Sequence, residues 1–410
     1  MRKFDVLIVG GGHGGAEAAI ALRQSGFAGT IALVCAEPEL PYERPPLSKE
    51  YLAGAKTFSQ LLIRSAAFWL DIGIVVLIGT QIVAIDPNSR TVLTKQGEPL
   101  SYGDLVWATG GDARTLPCPG ATLPGVHSIR NRSDVDHIKK KLNKYSRLVV
   151  VGGGYIGLEA ASTLISLGMH VTLLESQDRI FSRVTGMTLS RFYETEHRAQ
   201  GVDIRLGAHI DRIEGNDKVQ GVGMADGTIL HADMVIAGIG IVPAVAPLLK
   251  AGARGGDGVS VDAYGRTSLP HIFAVGDCAL HENAFAGGRA IRLESVQNAN
   301  DMARTVAKTI TGRFEPYCAV PWFWSDQYDL RLQTVGLSGG YEKEIVRGDP
   351  MSRSFSIIYL KRGRVIALDC INAPKDFMQG KALVANGTEV HPDQLGDPSV
   401  SLKAIFNVAK

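Results

Sequence analysis

The sequence predicts an α/β protein with two similar domains, followed by a smaller α+β domain. Three observations lead to this prediction. A pattern of strand, glycine-rich turn, helix and strand occurs twice, beginning near residues 4 and 147. Glycine is abundant, with 47 among 410 residues, whereas the average in proteins is ~7%. From about Ala319 onwards the pattern changes to short strands separated by turns, with one helix near the end.

The first copy begins with the apolar run 4–9, which suits a buried parallel strand. Residues 10–15, Gly-Gly-Gly-His-Gly-Gly, match G-x-G-x-x-G, and a helical pattern follows over 16–25. A second strand, 30–35, ends close to Glu37. In such a unit the glycines admit a pyrophosphate, the helix N-terminus attracts its charge, and the acid accepts a ribose hydroxyl. This order predicts a Rossmann-like dinucleotide-binding domain and not merely a tight turn.

The second copy repeats the plan. A strand over 147–151 leads into Gly-Gly-Gly-Tyr-Ile-Gly at 152–157, and a helix and the strand 170–174 follow. Each copy then continues into a meander of short strands and closes with a similar strand, at 104–110 and 233–240. Two dinucleotide-binding domains predict two dinucleotides. A flavin and a nicotinamide form the simplest pair, because each can pass electrons to the other.

The second copy ends its second strand at Glu175. A carboxylate there would bond a ribose 2′-hydroxyl and repel a 2′-phosphate, which favours NADH over NADPH. Arg179 and Arg183 follow closely and either weaken this preference or belong to the solvated surface. The candidate NAD-binding residues are Gly152, Gly154, Gly157, Glu175, Arg183 and Gly240.

Composition and cysteine usage narrow the class further. The net charge is +2, which is too balanced to indicate a nucleic-acid or anionic-membrane partner. The five cysteines include no C-x-x-C pair, which excludes the usual zinc sites, an iron–sulfur cluster of the chain's own and a vicinal dithiol. Unpaired cysteines fit a reducing compartment. The sequence has no uninterrupted apolar run long enough to span a membrane and no cleavage pattern, so we expect a cytoplasmic protein without a metal.

Four further segments carry a family resemblance. They are Leu-Pro-Tyr-Glu-Arg-Pro-Pro-Leu-Ser-Lys at 40–49, Ile-Phe-Ala-Val-Gly-Asp at 272–277, Arg-Leu-Glu-Ser-Val-Gln-Asn-Ala at 292–299 and Pro-Trp-Phe-Trp-Ser-Asp-Gln at 321–327. Together they resemble the FAD-dependent NADH:ferredoxin reductases of bacterial oxygenase systems, the family of putidaredoxin reductase and the biphenyl dioxygenase ferredoxin reductase. The resemblance covers essentially the whole chain, with its motifs in the expected order.

The resemblance implies three disulfide-reductase-like domains. Residues 1–110 and 241–318 would form a discontinuous FAD-binding domain, residues 111–240 the NAD-binding domain, and residues 319–410 the C-terminal α+β domain. The FAD-binding residues that it implies are Gly10, Gly12, Gly14, Gly15, Glu37, Arg44, Lys49, Ile82, Arg130, Asp277, Val296, Trp322 and Trp324. Many relatives carry an acid where this chain has Ala36, so Glu37 would serve the ribose alone.

Some of these assignments have alternatives. Asp277 follows an apolar strand and Gly276, which suits a contact with the ribityl–phosphate portion, but it could also be a helix N-cap or serve both purposes. The run Trp322, Phe323 and Trp324 could simply be core. In the family interpretation, one of the two tryptophans packs on the flavin ring.

Lys49 and Glu159 are the candidate catalytic pair, which the resemblance places beside the isoalloxazine ring. A lysine there would stabilise the negative charge of reduced flavin, and the carboxylate would hold the lysine. The alternatives are a surface lysine after a Pro-Pro turn and an acid near a helix N-terminus, where the helix dipole favours it.

The resemblance implies an NADH-dependent reductase that passes electrons through FAD, one at a time, to a [2Fe–2S] ferredoxin supplying a monooxygenase or a Rieske dioxygenase. No cysteine lies near Ser48, and Cys35 is expected to be a buried small residue, so a thiol relay is not predicted. The alternatives are an NADH oxidase or a rubredoxin or nitrite reductase-like enzyme with another acceptor, and a flavoprotein of the apoptosis-inducing-factor type. Ferredoxin partners of this kind are usually acidic, so we expect a basic patch on this chain where the ferredoxin docks. The sequence leaves a monomer or a homodimer open.

Overall fold

The computed structural model describes residues 1–143 and 146–408, and it divides into two compact units. The first unit comprises residues 1–44, 58–112 and 242–321, and the second comprises 45–57, 113–241 and the chain from 322 onwards. Two short strands, Gly111–Ala113 and Ile241–Pro243, lie where the chain passes from one unit to the other. The three domain boundaries drawn from the sequence stay a prediction.

The first unit is built on a mainly parallel sheet. In spatial order its parallel strands are Ile74–Leu77, Ile31–Val34, Arg2–Val9, Pro99–Trp107 and Ile272–Ala274. The antiparallel strands Thr91–Thr94 and Ile82–Asp86 extend the sheet from Pro99–Trp107. Val9 pairs with both Val34 and Trp107, so the chain after Val9 leaves at the carboxyl edge of the sheet. This is the edge where ligands bind in open α/β sheets.

Helices and a small second sheet complete the first unit. Its helices are His13–Gln24, Ala66–Asp71, Ala246–Lys250 and Val296–Ile310, with short 3₁₀ turns at Phe58–Leu61, Gly276–Cys278 and Ala284–Ala286. The small sheet contains Gly255–Gly256, Gly258–Val261, Ala279–Glu282 and Ala290–Ile291. The core contains the central strand residues and two large buried side chains, Trp69 and Trp107.

The second unit repeats the parallel sheet. Its strands, in spatial order, are Asp203–Arg205, His170–Leu174, Arg147–Val151, Met234–Ala237 and Val126–Ser128. An antiparallel meander of Ile210–Glu214, Gly221–Met224 and Ile229–His231 follows. The helices of this part are Arg132–Lys141, Tyr155–Ser166 and Met187–Ala199, and the segment Pro45–Ser48 forms a 3₁₀ turn. Val151 pairs with Leu174 and Ala237, so the second glycine turn also starts at a carboxyl edge.

The C-terminal part of the second unit is an antiparallel sheet covered by helices. Its strands, in spatial order, are Trp322–Gln327, Leu330–Gly336, Arg364–Ile371, Ser354–Lys361 and Lys343–Asp349. The helices are Pro374–Asn386, Pro392–Gly396 and Leu402–Val408, and a 3₁₀ turn spans Pro350–Ser352. Leu332, Ile357 and Leu368 are fully buried in this sheet.

The observed elements match the predicted class, with differences at their ends. The first helix begins at His13 and not at Ala16, because its first turn is formed by the glycine motif itself. The strand Trp322–Gln327 and the last two helices were not predicted. The strand has the sequence Trp-Phe-Trp-Ser-Asp-Gln, which shows no alternation of apolar and polar residues that would have indicated it. Both helices are short, at five and seven residues, and carry little periodic signal. Within the described ranges, no helix is both long and apolar enough to cross a lipid bilayer.

Candidate functional site

The outer glycines of the first turn are required by the fold. Gly10 has φ of 120°, and a Cβ at this position would lie 2.2 Å from the carbonyl oxygen of Ala108. A Cβ on Gly15 would lie 1.8 Å from the carbonyl oxygen of Gly10. These two glycines therefore allow the strand, the turn and the helix to pack closely. In the second turn, Cβ atoms on Gly152 and Gly157 would lie 2.5 and 1.9 Å from the carbonyl oxygens of Gly238 and Gly152.

The middle glycines are different. Gly12 has φ of −86° and ψ of −168°, and Gly154 has −87° and −176°, which is extended backbone open to any residue. Within the described chain, a Cβ on either would meet no heavy atom closer than 4 Å. Neither backbone conformation nor packing requires glycine at these positions, so both leave space for a ligand. Each precedes a helix of 12 residues, whose first N–H groups and dipole suit a pyrophosphate. Both turns fit a dinucleotide.

The acid after the first turn belongs to a cluster of three side chains. The Tyr42 hydroxyl donates to Glu37 at 2.5 Å, and Arg44 forms an ion pair with the same carboxylate. The Arg44 guanidinium also stacks 4.5 Å from the centre of the Tyr42 ring. His13, the first residue of the helix, was not among the predicted residues. Burial, together with the charge of Arg44, lowers the pKa of His13 to about 4, so it stays neutral near neutral pH.

Two predicted segments of the first unit pack against this turn. A Cβ on Gly14 would lie 3.2 Å from Val275 Cγ2 and 3.6 Å from Ala299 Cβ. The turn therefore packs against the segment that leads to Asp277 and against the helix that begins at Val296. Asp277 lies within the 3₁₀ turn Gly276–Cys278, whose N-cap is Val275, so the N-cap interpretation of Asp277 is wrong. Ile82 is buried at the start of its strand.

The acid of the second turn bonds the turn itself. Glu175 Oε2 accepts a hydrogen bond from the Gly153 N–H at 2.7 Å, and Oε1 accepts from the Gln177 N–H at 2.9 Å. Arg179 is half-buried and donates to the Ser182 and Thr185 carbonyl groups and to Ser190 Oγ, so it holds the following loop and is not merely solvated. Arg183 is exposed. Gly240, with φ of 94°, lies between the strands Met234–Ala237 and Ile241–Pro243.

Lys49 and Glu159 form a buried ion pair in the second unit. Lys49 Nζ lies 2.9 Å from Glu159 Oε2, with side-chain exposures of 12% and 3%. Ser48 Oγ donates to Oε2 at 2.6 Å, and Ser325 Oγ donates to Oε1 at 2.7 Å. Thr163 Oγ1, on the same helix as Glu159, donates to the Ser48 carbonyl at 2.9 Å. This burial excludes the surface-lysine alternative for Lys49. Glu159 is the fifth residue of the helix Tyr155–Ser166, so it does lie near a helix N-terminus, but its carboxylate is also paired with the lysine.

The two serines were missed in the sequence, although both belong to the family-like segments 40–49 and 321–327. Ser48 directly precedes Lys49, and Ser325 follows the two tryptophans. Only their position within these two motifs could have indicated them, because a serine by itself indicates no particular role. The hydrogen bonds give both a definite contact with the buried carboxylate.

Trp322 and Trp324 lie on the same face of their strand. Their ring centres are 5.6 Å apart, and both side chains are half-buried, so neither belongs to the fully buried core. Phe323 points to the opposite face and packs 4.3 Å from the Tyr155 ring. Lys381 Nζ lies 5.1 Å from the centre of the Trp322 ring.

The Arg130 N–H donates to the Asp134 carboxylate at 3.0 Å, just before the helix Arg132–Lys141.

The cysteines form no disulphide in the described structure, and three of the five are buried. Burial, with a contribution from Glu37, raises the pKa of the Cys35 thiol to about 12. Burial also raises the pKa of Cys278 to about 11. Since the thiolate is the reactive form, these cysteines are inert near neutral pH.

Two glycine turns of this geometry in one chain are typical of oxidoreductases that use two dinucleotides. Residues 4–303 match the family model described as pyridine nucleotide-disulphide oxidoreductase, and residues 322–406 match the model described as reductase C-terminal. The chain belongs to the pyridine nucleotide-disulphide oxidoreductase family. The family resemblance and the fold class inferred from the sequence are confirmed.

Individual relatives extend this result. The chain is 55% identical to the 5,5'-dehydrodivanillate O-demethylase ferredoxin reductase subunit of Sphingobium sp., over 99% of both chains. It is 54% identical to a ferredoxin–NAD(P)+ reductase of Sphingomonas sp., over 98% of this chain and 97% of that protein. Among solved structures, the covalent putidaredoxin reductase–putidaredoxin complex matches with a TM-score of 0.95 and 42% identity, covering 100% of this chain and 99% of that one.

Proposed function

We propose that this chain is an NADH-dependent reductase that holds FAD and passes electrons, one at a time, to a [2Fe–2S] ferredoxin serving a monooxygenase or Rieske dioxygenase. The observation that carries the proposal is the pair of middle glycines, Gly12 and Gly154, which leave space for two dinucleotides in one chain. The relatives support a ferredoxin as the electron acceptor. One is a ferredoxin reductase subunit and another a ferredoxin–NAD(P)+ reductase, and the similar solved structure is a complex with putidaredoxin.

The two turns would divide the dinucleotides between them. The helix N-terminus after Gly12 would bind the FAD pyrophosphate, and Glu37 would accept from its ribose. The helix N-terminus after Gly154 would bind NADH, with Glu175 accepting from the 2′-hydroxyl and repelling the 2′-phosphate of NADPH. Further FAD contacts are proposed for Arg44, Ile82, Arg130, Asp277 and Val296, and further NAD contacts for Arg183 and Gly240.

The chain's own contribution to the chemistry is electrostatic. FAD, when bound, supplies the conversion between a two-electron hydride donor and a one-electron acceptor. We assign to the Lys49 ammonium the role of stabilising the negative charge of reduced flavin. Glu159 holds that ammonium in place, because its carboxylate is fixed by Ser48 and Ser325 as well as by the ion pair. One of Trp322 and Trp324 is proposed to pack on the flavin ring.

No thiol relay is needed in this scheme. The Cys35 thiol, whose pKa is raised to about 12, stays protonated and does not act as a nucleophile or electron carrier. Electrons would therefore pass from the flavin directly to the ferredoxin. Unpaired cysteines suit a reducing compartment, and we propose the cytoplasm as the location.

Anaerobic kinetics test the proposal. The purified flavoprotein is mixed with NADH and a [2Fe–2S] ferredoxin, and ferredoxin reduction is followed by its visible spectrum, with NADPH and ferredoxin-free samples alongside. We expect rapid reduction with NADH and little with NADPH. If NADH bleaches the flavin but neither this ferredoxin nor others accept electrons, the acceptor is wrong. Rubredoxin or oxygen would then be tested next.

A further inference from the structure

A chain of buried polar side chains leads away from the Lys49–Glu159 pair within the second unit. Ser325 Oγ donates to Glu159 Oε1, and Gln327 Nε2 donates to Ser325 Oγ at 3.1 Å. His197 Nε2 lies 2.8 Å from Gln327 Oε1, and the Tyr328 hydroxyl lies 2.9 Å from His197 Nδ1. Ser325, Gln327 and His197 are at most 1% exposed. The chain thus connects a helix residue, His197, to the buried carboxylate through one strand.

The chemistry of the groups fixes the direction of every hydrogen bond. The Glu159 carboxylate only accepts, so Ser325 must donate its single hydroxyl proton to it. Ser325 Oγ must then accept from Gln327, which turns the amide oxygen of Gln327 towards His197. That oxygen also only accepts, so His197 carries its proton on Nε2, and Nδ1 accepts from the Tyr328 hydroxyl. All four donors therefore point towards Glu159.

Two further features indicate that this arrangement is specified and not incidental. Burial lowers the pKa of His197 to about 4, so the ring stays neutral and keeps the single proton that the chain requires. Tyr328 lies in the turn between its two strands with φ of 56°, a left-handed conformation that non-glycine residues rarely adopt. If this region served packing alone, apolar side chains would be sufficient. Burying this row of polar groups would then cost free energy for no purpose.

We propose that His197, Gln327 and Ser325 form a positioning relay, which orients the Glu159 carboxylate and, through it, the Lys49 ammonium. The inference rests on the proposed function, in which Lys49 stabilises the charge of reduced flavin. The relay carries no proton, because an amide in the middle of the chain does not transfer one readily. It acts by fixing the second oxygen of Glu159, while Ser48 and Lys49 occupy the first.

The central experiment uses Ser325→Ala and His197→Leu in the flavin-loaded protein. We measure the rate of flavin reduction at saturating NADH, the KM for NADH and the midpoint potential of the flavin. Because the ammonium is then less well placed, we expect the rate to fall about tenfold, with KM within about twofold of wild type. We also expect the midpoint potential to become more negative. Lys49→Met should shift the rate and the potential in the same direction, by more.

Conservative variants and a matched control separate positioning from folding. Ser325→Thr keeps the hydroxyl donor, and His197→Gln keeps an N–H for the Gln327 oxygen, so both should restore most of the rate and potential. Tyr193→Phe, one helical turn before His197, removes a buried hydroxyl that has no hydrogen-bond partner in the described structure, and it should change neither readout. Selective ¹⁵N-histidine NMR should show His197 protonated on Nε2 only.

The results distinguish this inference from the proposed function. The relay is wrong if Ser325→Ala and His197→Leu lower only thermal stability and leave rate and potential at wild-type values, or if His197 carries its proton on Nδ1. It also fails if Lys49→Met leaves the rate and the potential unchanged. None of these measurements uses ferredoxin. A wild-type protein that reduces its flavin with NADH but reduces no ferredoxin therefore overturns the acceptor assignment alone, while the relay is judged separately.

Discussion

The two glycine turns share a backbone plan but differ at the residue that follows the second strand. Cys35 occupies this position in the first unit, and Glu175 occupies it in the second. Their N–H groups make equivalent bonds, to the carbonyl groups of Leu77 and Arg205 on the neighbouring strands. Their side chains also face equivalent glycines. A Cβ on Gly11 would lie 2.5 Å from Cys35 Sγ, and a Cβ on Gly153 would lie 3.0 Å from Glu175 Oε2.

This difference shows that the same fold can place a carboxylate near the glycine turn from two different sequence positions. In the second turn the acid follows the strand at once and accepts from the Gly153 N–H. In the first turn a small thiol fills that place, and the acid, Glu37, follows two residues later, tied to Arg44 and Tyr42. Transferring positions from one turn to the other would therefore select Cys35 as the ribose-binding residue, which its apolar burial contradicts.

The largest expected effect comes from the last glycine of each turn, where the two turns should behave alike. Gly15→Ala and Gly157→Ala each force a Cβ to within 2 Å of a carbonyl oxygen, at 1.8 and 1.9 Å. We expect each to lower the free energy of unfolding by about 3 kcal/mol or more. Urea denaturation followed by circular dichroism measures this. Gly26→Ala is the control, because its φ of 83° is strained but its Cβ meets no described atom within 4 Å.

The control should cost only about 1 kcal/mol, the ordinary penalty for a left-handed alanine. If Gly15→Ala and Gly157→Ala cost no more than Gly26→Ala, the close packing of strand and helix has been misjudged. The two turns would then lack the constraint that they share.

The middle glycines should separate the turns. Serine is a good helix N-cap residue, so Gly12→Ser and Gly154→Ser should change the free energy of unfolding by less than about 0.5 kcal/mol. In the proposed function, each serine side chain would fill the space of a different ligand. We therefore expect Gly12→Ser to weaken FAD retention, and Gly154→Ser to raise the KM for NADH about tenfold, with normal flavin content.

Flavin content per chain and steady-state kinetics give the two readouts, and each variant is the other's control. The assignment of the turns is reversed if Gly12→Ser keeps its flavin but loses affinity for NADH. If neither variant affects a ligand, the space above these glycines is not a binding site.

Much of the fold followed from local patterns, because strands, glycine turns and helices have short-range signals. The turn at 152–157 and its flanking strands could be predicted within a residue or two. The support of Glu159 could not. Ser48, Ser325 and Glu159 are separated by more than a hundred residues along the chain. Sequence spacing carries no record of such contacts, and only the family resemblance linked Lys49 with Glu159. The lowered pKa of His13 was similarly hidden, because a glycine motif allows any residue at that position.

The two acids offer a more selective test. Glu175→Ala removes both the proposed ribose acceptor and the negative charge expected to repel a 2′-phosphate. We expect the ratio of kcat/KM for NADH over NADPH to fall about tenfold. Glu37→Ala, the matched variant of the first turn, should leave this ratio unchanged and reduce flavin retention instead. If the preference for NADH survives Glu175→Ala, a group other than Glu175 distinguishes the 2′-hydroxyl from the 2′-phosphate, and the assignment of Glu175 is wrong.

We expect the smallest effect from replacing Cys35, the thiol beside the first turn. Cys35→Ala removes one buried sulfur, so we expect a loss of about 1 kcal/mol in the free energy of unfolding. Electron transfer from NADH to ferredoxin should stay within about twofold of wild type, since a thiol with a pKa of about 12 contributes no thiolate. Cys278→Ala is the matched control, because that thiol is also fully buried. A tenfold slower transfer in Cys35→Ala alone, with full flavin content, would mean that the thiol takes part. The first turn would then carry a thiol in place of an acid because of its chemistry and not because of its packing against Gly11.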